Sequence, residues 1–185
     1  MANFSVNNFM AELSKGGGGA RQNQFEVAMT FPAAVPSAVT SNFNFMCKAA
    51  SLPAEELGTI TIPYFGRQLK VPGDRTFADW TVTIINDETF AIRNAFEMWS
   101  NALNGHLNNA RDPGMTTLTG PSGQLGVATI TQYSKGGDVI QIYVMQGVWP
   151  VNVSAIDMAW DHNDAIEDFQ VNLAYQWWES QGVTA

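Results

Sequence analysis

The sequence predicts a mainly β protein: an antiparallel sandwich or barrel of about seven or eight strands, with one packed helix and one projecting hairpin. Three observations predict it. Apolar and polar residues alternate with period two in several segments, most clearly over 166–178. There Phe169, Val171, Leu173, Tyr175 and Trp177 lie on one face, and Asp168, Gln170, Asn172, Ala174 and Gln176 on the other. Helical spacing is convincing only over 87–104. Turn formers such as Lys135-Gly136-Gly137-Asp138 punctuate the alternating runs.

Taken in order, residues 1–14 read as a short amphipathic helix carrying Phe4, Phe9, Met10 and Leu13. The four glycines at 16–19 read as a flexible joint, so 1–20 forms an N-terminal segment and 21–185 a single β domain. No Gly-Lys-Ser/Thr closes that run, which excludes a phosphate loop. Phe25, Val27, Met29 and Phe31 mark a strand over 24–31. Phe43, Phe45 and Cys47 mark another over 42–49, and the Ala/Pro/Ser-rich linker between them suggests a hairpin.

Residues 57–76 predict a long hairpin turning near Gly66. Pro63 and Pro72 suit an edge or a protruding arm, and Ile60, Ile62, Tyr64, Phe65 and Leu69 are many apolar groups for an arm without a partner. Over 77–85, Trp80, Val82 and Ile84 face one way. The helix over 87–104 has Asn86 or Asp87 as N-cap, Glu88 in its first turn, a stripe of Ile92, Phe96, Trp99 and Leu103, and Gly105 as its C-terminal stop. A loop over 105–124 follows, then strands over 125–134 and 139–146. Trp149-Pro150 ends that ladder, 152–160 begins another strand, and 166–178 is a strand of about 40 Å.

Composition narrows the function. The chain of 185 residues is 45% hydrophobic but only 14% charged, so its polar surface rests on amides, hydroxyls and glycine. Low surface charge removes one barrier to self-association. The net charge of −8 lacks the basic footprint of a tight nucleic-acid binder. Cys47 stands alone, so no intrachain disulfide forms. No apolar run reaches membrane length and the start shows no secretory signal, so the chain reads as soluble and made in the cytoplasm, without a membrane anchor.

Catalytic constellations are hard to find. His106 and His162 sit in polar, turn-like settings. His162 lies among Asp157, Asp161 and Asp164, which reads as a solvated acidic turn before it reads as an oxygen-ligated ion site. Cys47 falls on an apolar strand face and reads as a small buried hydrophobe. Gly120-Pro121-Ser122-Gly123 lacks the spacing of a nucleophile elbow. Trp80, Trp99 and Trp177 fall on predicted core faces, which favours packing over a carbohydrate platform. Gly73-Asp74-Arg75 reads either as a plain surface turn or as the seat of an Asp74–Arg75 pair.

Linked motifs carry a resemblance. Val71 with Gly73-Asp74-Arg75-Thr76-Phe77, then Asp79-Trp80-Thr81-Val82-Thr83 and Asn86-Asp87-Glu88, resembles the signature of tail tube proteins of T-even-type contractile phages. The likeness extends upstream through Phe45, Cys47-Lys48-Ala49 and Leu52-Pro53-Ala54. Downstream it runs through Gly147, Trp149-Pro150, Asn152-Val153, Trp160-Asp161, Asn163, Ile166, Phe169, Val171, Leu173-Ala174 and Trp178-Glu179. The glycine run, the 31–41 linker and the 105–124 loop depart from the family pattern. The resemblance implies a non-enzymatic virion protein without cofactor or metal, assembled in the host cytoplasm. Hexameric rings, each subunit giving strands to one continuous barrel, would stack helically into the inner tail tube. The implied partners are further copies of itself, the sheath protein, baseplate and tail-terminator proteins, and, in the lumen, the tape measure protein and then DNA. Tubes of protein-injection systems and single-ring baseplate or terminal relatives share the fold and are the alternatives.

On this reading the ring-stacking candidates are Ile60, Ile62, Tyr64, Phe65, Arg67, Leu69, Asp74, Arg75 and Trp149. The lumen-facing candidates, taken from alternation, are Glu26, Thr30, Gln141, Asp168, Gln170, Asn172 and Gln176. Acid and amide groups there would let DNA slide instead of stick.

Overall fold

The computed structural model describes residues 5–15, 17–35, 43, 44, 46–120 and 123–182. Helix α1 (Val6–Lys15) is specified locally at both ends. Ser5 Oγ accepts from the Asn8 N–H at 3.1 Å, an N-cap. At the other end the Gly18 N–H reaches the Leu13 carbonyl and the Gly17 N–H the Ser14 carbonyl, a Schellman stop with Gly17 left-handed. The glycine run therefore ends a helix as well as joining segments. No described side chain of α1 is buried.

The domain is built from β1 (Phe25–Thr30), β2 (Cys47–Ala50), β3 (Glu55–Tyr64), β4 (Arg67–Phe77), β5 (Trp80–Ile85), α2 (Ala91–Leu103), β6 (Gly126–Tyr133), β7 (Val139–Val153), β8 (Asp168–Ala174) and β9 (Trp177–Gly182). The strands are antiparallel throughout, as alternation predicts. β3 and β4 pair only with each other; the other seven form one sheet in the order β1-β6-β7-β8-β5-β2, with β9 also on β7. The sheet folds over a common core, so that β1 and β2 approach each other. Val27, Met29, Trp80, Val82, Ile84, Ile130, Met145, Phe169, Val171 and Leu173 point inward. Helix α2 lays Ile92, Ala95, Phe96 and Trp99 on that core, and the Trp99 indole donates to the buried Gln124 carbonyl at 2.9 Å.

The fold is made possible by a corner in β7. Its first half pairs with β6 and β9, and its second half with β8. The change comes at Gly147, which is left-handed (φ 66°) and is skipped by the β6 ladder, a bulge. A β-carbon there would stand 2.7 Å from Gln176 Cγ, so glycine is required twice over. Opposite it, Tyr175 and Gln176 break the last strand into β8 and β9. Both strands change phase at the same point, which turns one sheet into two layers: β1-β6-β7-β9 and β7-β8-β5-β2.

Several expectations are corrected. The strand over 42–49 begins only at Cys47; Phe43, Asn44 and Met46 are helical, and Phe45 lies outside the described residues. That turn drives Phe43 into the core, edge-on to Phe31 and Phe96. β1 and β2 form no hairpin, because β1 pairs with β6 and β2 with β5. Helix α2 starts at Ala91, not near residue 87, behind a left-handed Phe90. Asp87 still serves its end, since Oδ1 accepts from the Ala91 N–H at 3.1 Å, whereas Asn86 turns away to Glu167. Glu88 is outside the first turn. At the far end Asn104 is extended, so Gly105 is not a left-handed stop. β7 runs through Trp149-Pro150 to Val153, and 154–160 holds no strand. Pro150 sits beyond the end of the β6 ladder, where a missing donor is tolerated. The phase change puts Trp177 outward, half exposed, and gives its inward place to Trp178.

Candidate assembly surfaces

The β3–β4 ribbon leaves the domain as an arm of about 30 Å. Ile60 faces Val71, Ile62 faces Leu69 and Tyr64 faces Arg67 across the ladder, so one side of the ribbon is apolar with a single guanidinium near its tip. Thr59, Thr61, Pro63, Gln68, Lys70 and Pro72 form the other side. The turn is Phe65-Gly66 with both φ values positive (43° and 78°), the type I′ geometry that suits a two-residue hairpin. Phe65 is 91% exposed and stands edge-on to Tyr64. Phe65 is thus a bulky residue in a left-handed position that buries little of its ring within the subunit.

The root of the arm is fixed. Tyr175 donates its hydroxyl to the Ala54 carbonyl at 3.0 Å, Trp80 Nε1 donates to the Ser51 carbonyl at 2.7 Å, and Phe77 lies against Tyr175. Arg75 pairs with Glu55 across the ladder at 3.2 Å and not with Asp74. Gly73-Asp74 is no turn either, for it lies within β4 at a bulge opposite Gly58. Of the stacking candidates, Ile60, Ile62, Tyr64, Phe65, Arg67 and Leu69 gather on the outer arm, and Asp74 and Arg75 at its base. Trp149 is half-buried within β7, opposite Ala174 at the end of β8, and not at the end of its own strand.

The lumen candidates do not share a surface. The outer face of the β1-β6-β7-β9 layer carries three cross-strand rows: Glu26–Thr131–Ile142–Gln181, Ala28–Thr129–Val144–Glu179 and Thr30–Val127–Gln146–Trp177. Glu26 and Thr30 lie here. Glu26 accepts from Tyr133 at 2.6 Å and Asn44 at 3.0 Å, and that hydrogen bond holds the Tyr133 hydroxyl above its ordinary pKa. Asp168, Gln170 and Asn172 lie on the outer face of the other layer, where Lys48 pairs with Asp168 and Thr81 with Asn172. Gln141 shares the inward side with Tyr143 and Met145, and Gln176 sits at the corner. Alternation reports a face of each strand but not the layer the strand joins, so the candidates fall on two layers.

Two features escaped the sequence reading. Among the described residues the first layer has two free edges, β1 and β9, each six residues long. The second is a groove of about 520 Å³ between the 154–167 loop and β8, walled by Ile156, Met158 and Ile166 with Asp157, Glu167 and Asp168. The turn formers Asp161-His162-Asn163-Asp164 were the signal that this stretch loops over the sheet. Among the described residues no three His, Cys or acidic side chains converge on an ion position. Among them too, no helix is long and apolar enough to cross a membrane. Cys47 is kept neutral, its thiol pushed up to about 12 by burial.

Comparison with known proteins gives a consistent answer. The family model described as phage tail tube protein matches residues 20–181. Tail tube protein gp19 of Enterobacteria phage T4 is 34% identical over 163 residues, covering 86% of this chain and 91% of that protein. The tail tube protein of Serratia phage KSP90 is 28% identical, covering 92% and 94%. Among solved structures, the PVC sheath/tube terminator of an extracellular contractile injection system superposes with a TM-score of 0.62 at 14% identity, covering 89% of this chain and 97% of that one. That last likeness speaks to the fold alone.

Proposed function

Because the chain belongs to the phage tail tube protein family, we propose that it is the non-enzymatic subunit of an inner tail tube, closing into hexameric rings that stack into a conduit for DNA. The observation that carries this is the family match across nearly the whole β domain, joined to a layer with two equal free edges. A free edge invites pairing, and a ring of copies, β9 of one beside β1 of the next, removes all such edges at once. The outer face of that layer then lines the lumen, with Thr129, Thr131, Gln146, Glu179 and Gln181 beside Glu26 and Thr30. Asp168, Gln170 and Asn172 are left for other contacts. Such a wall is hydroxyl-, amide- and acid-rich and offers phosphates no cationic hold. The exposed arm takes the ring-to-ring contact. Sheath, baseplate and terminator proteins are the outer and end partners, tape measure protein and then DNA the contents, and assembly takes place in the host cytoplasm.

Negative-stain electron microscopy of the purified protein tests this. Six-fold rings or tubes with an open channel are expected; a stable monomer at high concentration would refute it.

A further inference from the structure

The arm and the groove lie at opposite ends of the same strands. The arm's root contacts Trp80, Tyr175 and Ala54, beside the Leu173 end of β8. The groove lies beside Asp168, where β8 begins opposite Ile85. At about 3.3 Å per residue the two ends are roughly 20 Å apart. A projection at one end and a recess at the other is the arrangement that builds an open, head-to-tail stack.

The two surfaces are also complementary in chemistry. Between Leu57 and Gly73 the arm carries Arg67 and Lys70 and no acid. Its apolar side is exposed, with Ile60, Ile62, Tyr64 and Leu69 all open to water. The 154–170 segment carries Asp157, Asp161, Asp164, Glu167 and Asp168 and no lysine or arginine. Glu167 is engaged by Asn86 and Asp168 by Lys48. Met158 and Ile166 stand exposed on its walls. Cation-bearing ribbon and acid-bearing groove match in sign, and Ile156, Met158 and Ile166 give the otherwise polar groove an apolar wall for the ribbon's apolar side.

We propose that the arm of one subunit seats its apolar side in the groove between the 154–167 loop and β8 of a subunit in the next ring, with Arg67 on the seated side against the loop carboxylates and Lys70, on the ribbon's other side, adding to the long-range attraction. The inference rests on the tube reading and adds the socket to it. A second copy of this chain supplies such an arm, which makes the groove a self-assembly site.

Charge exchange in the full chain tests it, read by microscopy and sedimentation. Reversing the arm (Arg67→Glu with Lys70→Glu) or the loop (Asp157→Lys with Asp161→Lys) should cut sedimentable tube about tenfold or more while rings persist. Combining the two reversals in one chain should restore most of it. A second measurement places a cysteine on each side, Phe65→Cys with Met158→Cys; oxidation of assembled tubes should give ladders of linked subunits. Wild-type tubes indifferent to both reversals, or intact double-cysteine tubes that never cross-link, would overturn the socket and leave the tube standing. A wild-type protein forming neither rings nor tubes would bring down both.

Discussion

The indole N–H of Trp99 donates to the backbone carbonyl of Gln124 at 2.9 Å, with both residues buried. One bond thus ties the middle of α2 to the end of the long 105–124 loop, just before β6. Trp99→Ala should lower unfolding free energy by about 3–5 kcal/mol through lost burial and a cavity. Trp99→Phe should cost less, about 1–3 kcal/mol, chiefly by leaving a buried carbonyl without its donor. Denaturant unfolding followed by circular dichroism reads both.

Phe65 should behave in the opposite sense. Asparagine before glycine is the favoured pair of a type I′ turn, so Phe65→Asn relieves a left-handed phenylalanine and removes no buried contact. The variant subunit is expected to be as stable as the parent or more so, by up to about 1 kcal/mol, yet to stack poorly. Thermal melts and microscopy on one preparation check the two halves together.

Cys47 gives a pH signature. Its folded pKa, pushed up to about 12, exceeds its ordinary value of 9.0, so its stabilising contribution is complete below pH 9 and is lost as pH rises toward 12. Tyr133 and Tyr175 are raised as well, the first by Glu26 and the second by burial, and add to the loss in the same direction. Alkaline titration of the folded fraction should show this fall, and Cys47→Ala should make it shallower. Native protein at pH 8 should label slowly with thiol reagents, and unfolded protein quickly.

Removing residues 1–19 should leave the melting temperature of the β domain within about 1 °C, because α1 buries nothing against it. A drop of several degrees would show that the helix is packed on the domain in solution.

Much of this architecture was legible in the alternation of residues. The β1 pattern, the arm with its turn at Phe65-Gly66, the Trp80–Val82–Ile84 face and the α2 stripe follow from local periodicity, which is a property of each segment alone. What could not be read was set elsewhere. The phase change at Gly147 opposite Gln176 depends on two strands meeting, and it takes Trp177 off the predicted core face; Gln141 lies before it, on the inward side with Tyr143 and Met145, because Ile142 and Val144 are the outward pair. The pairing of β1 with β6 depends on a core that also holds Phe43. Arg75 meets Glu55 only because the β3–β4 register brings that neighbouring strand beside it, which sequence spacing cannot show. The stacking candidates, Trp149 apart, gather on the arm because they share a segment, whereas the lumen candidates scatter because alternation reports a face without saying which layer it belongs to.

The arm has a further consequence for how growth begins. Two strands with no third neighbour hold their shape weakly in water, so the free subunit is expected to carry an arm that samples many conformations. Ordering it costs conformational entropy, and that cost falls on the first contact between rings. On the proposed docking, initiation is expected to be slower than elongation, because a tube end already presents sockets for incoming arms. Preformed tube ends added to fresh subunits should therefore shorten the lag before new tube grows, and the number of tubes should rise with the number of ends supplied.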